Sequence, residues 1–313
     1  MFAQTRASLR EGGGPFTVEG ACETLDFEVT LLFTHSPSVA NATASSRRKP
    51  FISANTVLAK SKFEFFILSN LLTYINRYVK IIPLFHYLWR FIMRIVFVRH
   101  GHPNYKVDCL TELGHKHAEA AAKRLADERP AAIYASTMGR AQQTARHIAD
   151  ELGMDIISVD YMREINWGSL DGEPILKGGH PWLVADAIVA EGEDITAGEW
   201  ETLPVHSGNL VIASAQKAFS GFDSLLSSLG ALREGLYYRV TRKNDDTVFM
   251  VSHGGSSSAV LSHMLNIPFP QFCATIRPKF TAITVVTLEG NEGELITPHV
   301  EIMNDARHIA GID

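Results

Sequence analysis

The 313 residues carry a net charge of −5, with 20% charged side chains, so no basic excess marks a nucleic-acid partner and binding to a nucleic-acid backbone is disfavoured. The cysteines, Cys22, Cys109 and Cys273, are scattered without a Cys-x-x-Cys pair, which argues against a disulfide framework or a structural zinc site and suits a reducing, cytoplasmic setting. The length admits two small domains, or one domain with an extension.

In chain order, residues 1–62 are polar and irregular, with Gly12-Gly13-Gly14-Pro15 and the basic triplet Arg47-Arg48-Lys49, and are expected to lack a packed core. From Phe63 to Phe91 the chain turns apolar and aromatic, but Arg77, Lys80, Pro83 and Arg90 keep its runs shorter than the roughly 20 residues of a spanning helix. Any membrane association would therefore be interfacial and confined to residues 63–92. Met93-Arg94-Ile95-Val96-Phe97-Val98 reads as the start of a compact α/β enzyme. The expected organisation is an N-terminal extension at 1–92, upstream of the native start, and a catalytic domain at 93–313 with a cap insertion at about 173–208.

Ile95 to Val98 is an apolar, β-branched run of the kind buried on both faces of a parallel sheet, and it stops on Arg99-His100-Gly101. In open α/β sheets the carboxyl ends of strands face the ligand crevice, and a glycine there permits a tight turn. A helix is predicted from about His115 to Glu128 with Thr111 as its cap and Ala118, Ala121, Ala122 and Leu125 as its apolar stripe. Ala131 to Ala135 is the next strand, Ser136 to Arg140 its turn, and Ala141 to Leu152 the next helix, so Arg140 stands in a strand-to-helix turn as His100 does. Strand–helix alternation predicts a three-layer α/β/α sandwich around a mostly parallel sheet.

Ile156 to Val159 is a third strand, followed by a loop, Arg163 to Gly172, that contains Glu164. The stretch from Glu173 to about Pro204, with Trp182, Trp200 and several carboxylates, reads as a cap over the site. Helix is expected from Asn209 to Arg242, then Thr247 to Val251 repeats the opening theme, a buried strand delivering Ser252-His253-Gly254-Gly255. A helix from Ala259 to Leu265, a strand from Ala282 to Leu288 and an edge strand near His299 to Ile302 complete the chain.

Arg99-His100-Gly101, Leu110-Thr111-Glu112-Leu113-Gly114, Ser136 to Ala145, Glu164 with Gly168 and Gly172, and Ser252-His253-Gly254-Gly255 together resemble the histidine phosphatase (phosphoglycerate mutase-like) superfamily, in the family's order and over roughly residues 93–290. The resemblance implies a metal-independent and cofactor-free phosphomonoester hydrolase acting on a small phosphorylated substrate. His100 would form a phosphohistidine, with Glu164 as acid and base, His253 beside the nucleophile, and Arg99, Arg140, Asn104 and Gly254 on the phosphate. Two guanidinium forks and imidazole donors suit a transition state whose charge spreads over three oxygens. The chain departs from the family in its short loop His102-Pro103-Asn104-Tyr105, where Asn104 would replace a phosphate-contacting asparagine, in Thr137 where proline is usual, and in His117 where glutamine is usual. The mutase branch's longer loops and basic residues are not evident. Phosphoglycerate mutase-type transfer and a non-catalytic phosphate-binding protein of the same fold remain the alternatives.

Beside these stand plainer readings. His100-x-His102 also resembles the opening of a zinc-binding barrel, but that fold takes about 250 residues in eight strand–helix units and too few strands follow Met93. His115 and His117 are expected on a solvated helix face, His180 and His206 in exposed loops, and Trp182 and Trp200 in the core of the cap. The acidic cap disfavours highly anionic substrates.

Overall fold

The strand expected at Ile95 to Val98 runs over Phe91–Arg99 (β1) in the computed structural model, which describes residues 91–168 and 180–312. The readings for residues 1–90 and 169–179 lie outside the described residues, including the interfacial segment up to Arg90. Alternate residues of β1 point to opposite faces: Met93, Ile95 and Phe97 enter one apolar cluster, and Val96 and Val98 another. This double burial is why the run reads as continuously apolar.

The central sheet has six strands. Thr247–Ser252 (β8), Ala132–Ser136 (β4) and Ile156–Val159 (β5) lie parallel to β1 in the order β1-β8-β4-β5. Ile283–Gly290 (β9) and His299–Asp305 (β11) continue the other edge, β9 being antiparallel to both β1 and β11. Two-residue strands, Pro103–Asn104 (β2) and Cys109–Leu110 (β3), form a hairpin after His100.

Helices Glu112–Leu125 (α1) and Gly139–Leu152 (α2) cover one face, setting Ala122, Leu125, Ala145, Ile148 and Ala149 against Val96, Val98, Phe249 and Val251. Thr111 caps α1 as expected, its hydroxyl accepting from Gly114 N–H at 3.1 Å. Helices Val211–Leu229 (α4) and Gly254–Leu265 (α5) cover the other face with Phe222, Leu225, Leu226, Val260, Leu261 and Met264. The result is the expected three-layer α/β/α arrangement with a mostly parallel sheet.

Two boundaries differ most from the sequence reading. The helix expected to reach Arg242 stops at Leu229, because Gly230 takes the left-handed conformation at φ +105° and ends it. Ala231–Glu234 (β6) and Tyr237–Val240 (β7) then form a hairpin around Gly235, at φ +62°, and Leu295–Ile296 (β10) pairs with β7. The helix expected from Ala259 begins five residues earlier, at Gly254. Glycines and serines are weak helix formers, but here the Glu164 carboxylate accepts from the free N–H groups of Gly255 and Ser256 and holds the first turn.

The cap has a core of its own. Helix Pro181–Ala190 (α3) and 3-10 turns at Trp200–Thr202 and Pro204–His206 bring Val184, Ile188, Trp200 and Leu203 against Trp167, Val211 and Phe269, the last in Phe269–Thr275 (α6).

Two glycines lock the turn after β1 onto the start of α1. A β-carbon on Gly114 would stand 2.1 Å from the His102 carbonyl oxygen, and one on Gly101 would stand 2.4 Å from that of Gly114. Gly114→Ala is therefore expected to cost about 1–3 kcal/mol, as overpacking does. Thermal denaturation checks this, and an unchanged Tm would contradict the close approach.

Candidate active site

His100 leaves the end of β1, and His253 leaves the end of its parallel neighbour β8. The strands pair with Arg99 opposite Ser252, and His100 N–H donates to the Ser252 carbonyl at 2.9 Å, so the two histidines emerge side by side. Their ring centroids are 5.2 Å apart, with the planes inclined at 59°. Both are buried, at 1% and 0% exposure.

Hydrogen bonds fix the His100 tautomer. Nδ1 lies 2.7 Å from the Gly101 carbonyl oxygen, to which it must donate. Nε2 receives Arg140 Nε–H at 3.3 Å, so Nε2 carries the lone pair. Burial first, then the Arg99 guanidinium, holds His100 well below the ordinary imidazole range. Burial, then His100 and both arginines, does the same for His253. His253 Nε2 lies 2.8 Å from Ser136 Oγ, which also accepts Met138 N–H. When the Ser136 hydroxyl donates to Nε2, the imidazole proton lies on Nδ1.

Arg140 begins α2 after the turn from β4 and is 4% exposed. Its guanidinium forms a close ion pair with Asp108, whose second oxygen accepts from Gly139 N–H at 2.7 Å. Asp108 thus ties the helix start to the arginine. Arg99 is 8% exposed, donates to the Pro278 carbonyl at 2.5 Å and lies 4.3 Å from the Phe280 ring centroid. Burial lowers its pKa from the ordinary guanidinium value, with Tyr105 and Glu164 opposing that shift. Arg99 Nε and His253 Nδ1 are buried polar atoms with no hydrogen-bond partner among the described residues. Such atoms are scarce in folded proteins, and a site for an anion accounts for a pair of them.

The structure gathers His100, His253, Arg99 and Arg140 at the carboxyl edge of the sheet, against the start of α5. Gly254 opens that helix, and a β-carbon there would lie 3.5 Å from both Arg99 Nε and Trp182 Cζ3. Glu164 lies at the same helix start, its oxygens accepting from Ile165, Gly255 and Ser256 N–H at 2.9–3.3 Å. Asn104 is not brought to the group: it is exposed on the β2–β3 hairpin, and its side-chain oxygen accepts from Lys106 N–H at 3.2 Å. A short loop that turns back on itself keeps Asn104 at the surface. His102 Nδ1 instead lies 2.9 Å from Thr111 Oγ1.

Several expectations are corrected. His117 is 5% exposed, not solvated, because it shares a face of α1 with Gly114, Ala118 and Ala121. His115 is half-buried and lies 3.0 Å from His147 on α2. His206 is 2% exposed, with Nδ1 2.9 Å from the Trp200 carbonyl oxygen, so it belongs to the core of the cap. Trp200 is in that core as expected, whereas Trp182 is half-buried, 5.6 Å from Arg99. Asp108 and Tyr105 escaped the sequence reading. Asp108 carries no local signal, since its role arises from a loop at φ +49° folding over a helix start thirty residues on.

A family model described as histidine phosphatase superfamily (branch 1) matches residues 95–205. Among curated proteins, the probable phosphoglycerate mutase GpmB of Yersinia pestis (strain Pestoides F) is 25% identical over 191 residues, 56% of this chain and 77% of that one. Among solved structures, a mycobacterial glucosyl-3-phosphoglycerate phosphatase with inorganic phosphate is similar at a TM-score of 0.50 and 24% identity, covering 69% of this chain and 98% of that one. A phosphoserine phosphatase mutant from Entamoeba histolytica with phosphoserine is similar at 0.50 and 20%, covering 69% and 99%. Both structures share the fold.

The depressed histidines set a pH dependence. Below about pH 6.5 the unfolded chain takes up protons on these rings that the folded chain refuses, so stability is full above that pH and falls as pH drops through it. His117, His206 and His308, all lowered chiefly by burial, act in the same direction. Tm is expected to be flat from pH 8 to 7 and to fall toward pH 5, less steeply in His253→Gln. A Tm that rises on acidification would contradict this.

Proposed function

We propose that this chain, which the histidine phosphatase superfamily (branch 1) model matches over residues 95–205, is a phosphomonoester hydrolase working through a phosphohistidine on His100. One observation carries the reading: two buried imidazoles and two buried guanidiniums converge, and Arg99 Nε and His253 Nδ1 are left for an anion to satisfy. The phosphate oxygens take these two donors together with Arg140 and the Gly254 N–H at the start of α5.

The lone pair on His100 Nε2 attacks phosphorus while the bond to the ester oxygen breaks. Arg140, which occupies Nε2 in the free protein, turns its Nε–H to a phosphoryl oxygen. The Gly101 carbonyl holds the Nδ1 proton and steadies the positive charge that develops on the ring. Glu164 supplies a proton to the departing oxygen. It then takes one from the water that attacks the phosphohistidine, and His100 and inorganic phosphate are released. His253 donates to the transferring group, and Asp108 holds Arg140 in position. The substrate is a small phosphorylated molecule, in keeping with the two phosphatase structures that share the fold.

Hydrolysis of p-nitrophenyl phosphate tests the reading. The expected result is vanadate-sensitive, EDTA-resistant turnover that is lost in His100→Ala and reduced on the order of 10²-fold in Arg140→Ala. Asp108→Asn, which keeps the shape and removes the charge, is expected to lower kcat/KM on the order of tenfold, as loss of a charge-assisted hydrogen bond does. Turnover unchanged in His100→Ala would overturn the mechanism. Interconversion of 2- and 3-phosphoglycerate without net phosphate release would favour the mutase activity in the curated relative's name.

A further inference from the structure

The guanidiniums beside His100 are nearly inaccessible, and an arc of aromatic rings lies against them. Tyr105 lies 5.3 Å from Arg140, and its ring is 6.5 Å from His180. His180 stacks on Trp182 at 5.1 Å with planes only 4° apart, and Trp182 lies 5.6 Å from Arg99. The arc therefore runs from one guanidinium to the other. Tyr105 is 55% exposed and His180 and Trp182 half-buried, against 4% and 8% for Arg140 and Arg99, so the rings form the outer rim of the pocket.

A phosphate seated on the buried arginines must point its ester oxygen outward through this rim. The group carried by that oxygen then meets faces of Tyr, His and Trp. The three rings carry no ammonium or guanidinium of their own to pair with a carboxylate. The nearby cation Arg277 is engaged with Asp186 of α3 at 2.8 Å. Flat, apolar surface of this kind recognises flat, apolar groups, and offset stacking on it adds to simple area burial.

Building on the hydrolase reading, we propose that the substrate is a phosphomonoester whose alcohol carries an aromatic or heteroaromatic ring close to the phosphate, held against Tyr105, His180 and Trp182. These residues determine specificity and leave the bond-breaking step to His100.

Benzyl phosphate and cyclohexylmethyl phosphate test this, because both are primary alkyl esters of similar size and only one is planar. The expected kcat/KM ratio is about five- to tenfold in favour of the benzyl ester. Trp182→Leu and Tyr105→Leu should bring that ratio toward one, while Tyr105→Phe, which keeps the ring, should preserve it. A wild-type ratio near one, or one that survives both leucine variants, would overturn the inference and leave the hydrolase reading standing. If neither ester is hydrolysed while p-nitrophenyl phosphate is, the inference fails and the hydrolase reading stands; if none of the three is hydrolysed, both fail.

Discussion

The site depends on one pairing, the parallel register of β1 with β8. Because Arg99 lies opposite Ser252, both strands end at the same level and their next residues, His100 and His253, have nowhere to go but beside each other. A slip of one residue would turn one imidazole to the opposite face of the sheet. The register is held by burial on both faces, since Ile95, Phe97, Val248 and Met250 pack on one side and Val96, Val98, Phe249 and Val251 on the other. The apolar core is in this sense the positioning device for the chemistry.

Electrostatics complete the arrangement. Two cations and two imidazoles in a site closed to water would repel strongly if the rings were protonated, and burial together with the guanidiniums keeps them neutral. A neutral ring with its proton fixed on Nδ1 by Gly101 has its lone pair on Nε2, which a nucleophile requires. Asp108 offsets the charge on Arg140 and orients it, while the carboxylate of Glu164 completes the first turn of the helix that His253 precedes. The helix start and the acidic residue are therefore mechanically linked, as are Arg140 and the hairpin loop that carries Asp108.

Much of this was legible because it is periodic or local. Buried parallel strands announce themselves as apolar runs, and His-Gly or Ser-x-x-Gly-Arg at their ends marks the crevice. The burial of His117 was available in the same way, from its place among Gly114, Ala118 and Ala121 on one face of α1. What could not be read depends on distant partners. The early start of α5 against its glycines and serines needs Glu164, ninety residues earlier, and the partnership of Asp108 with Arg140 joins two loops with no shared pattern. Asn104, chosen by analogy of residue type, lies instead on the outer edge of its hairpin, where the loop's own turn engages its side chain. Tyr105 beside it, which no motif singled out, is the residue that reaches an arginine.

The central claim is that His100 Nε2 becomes covalently bound to phosphorus. Rapid quenching of the full chain during turnover of a radiolabelled phosphomonoester, followed by peptide mapping in alkali, tests it most directly. The account predicts one phosphoryl group per chain, acid-labile and alkali-stable, on the peptide that contains His100. Turnover with no trapped label, or with an acid-stable label on another residue, would contradict it.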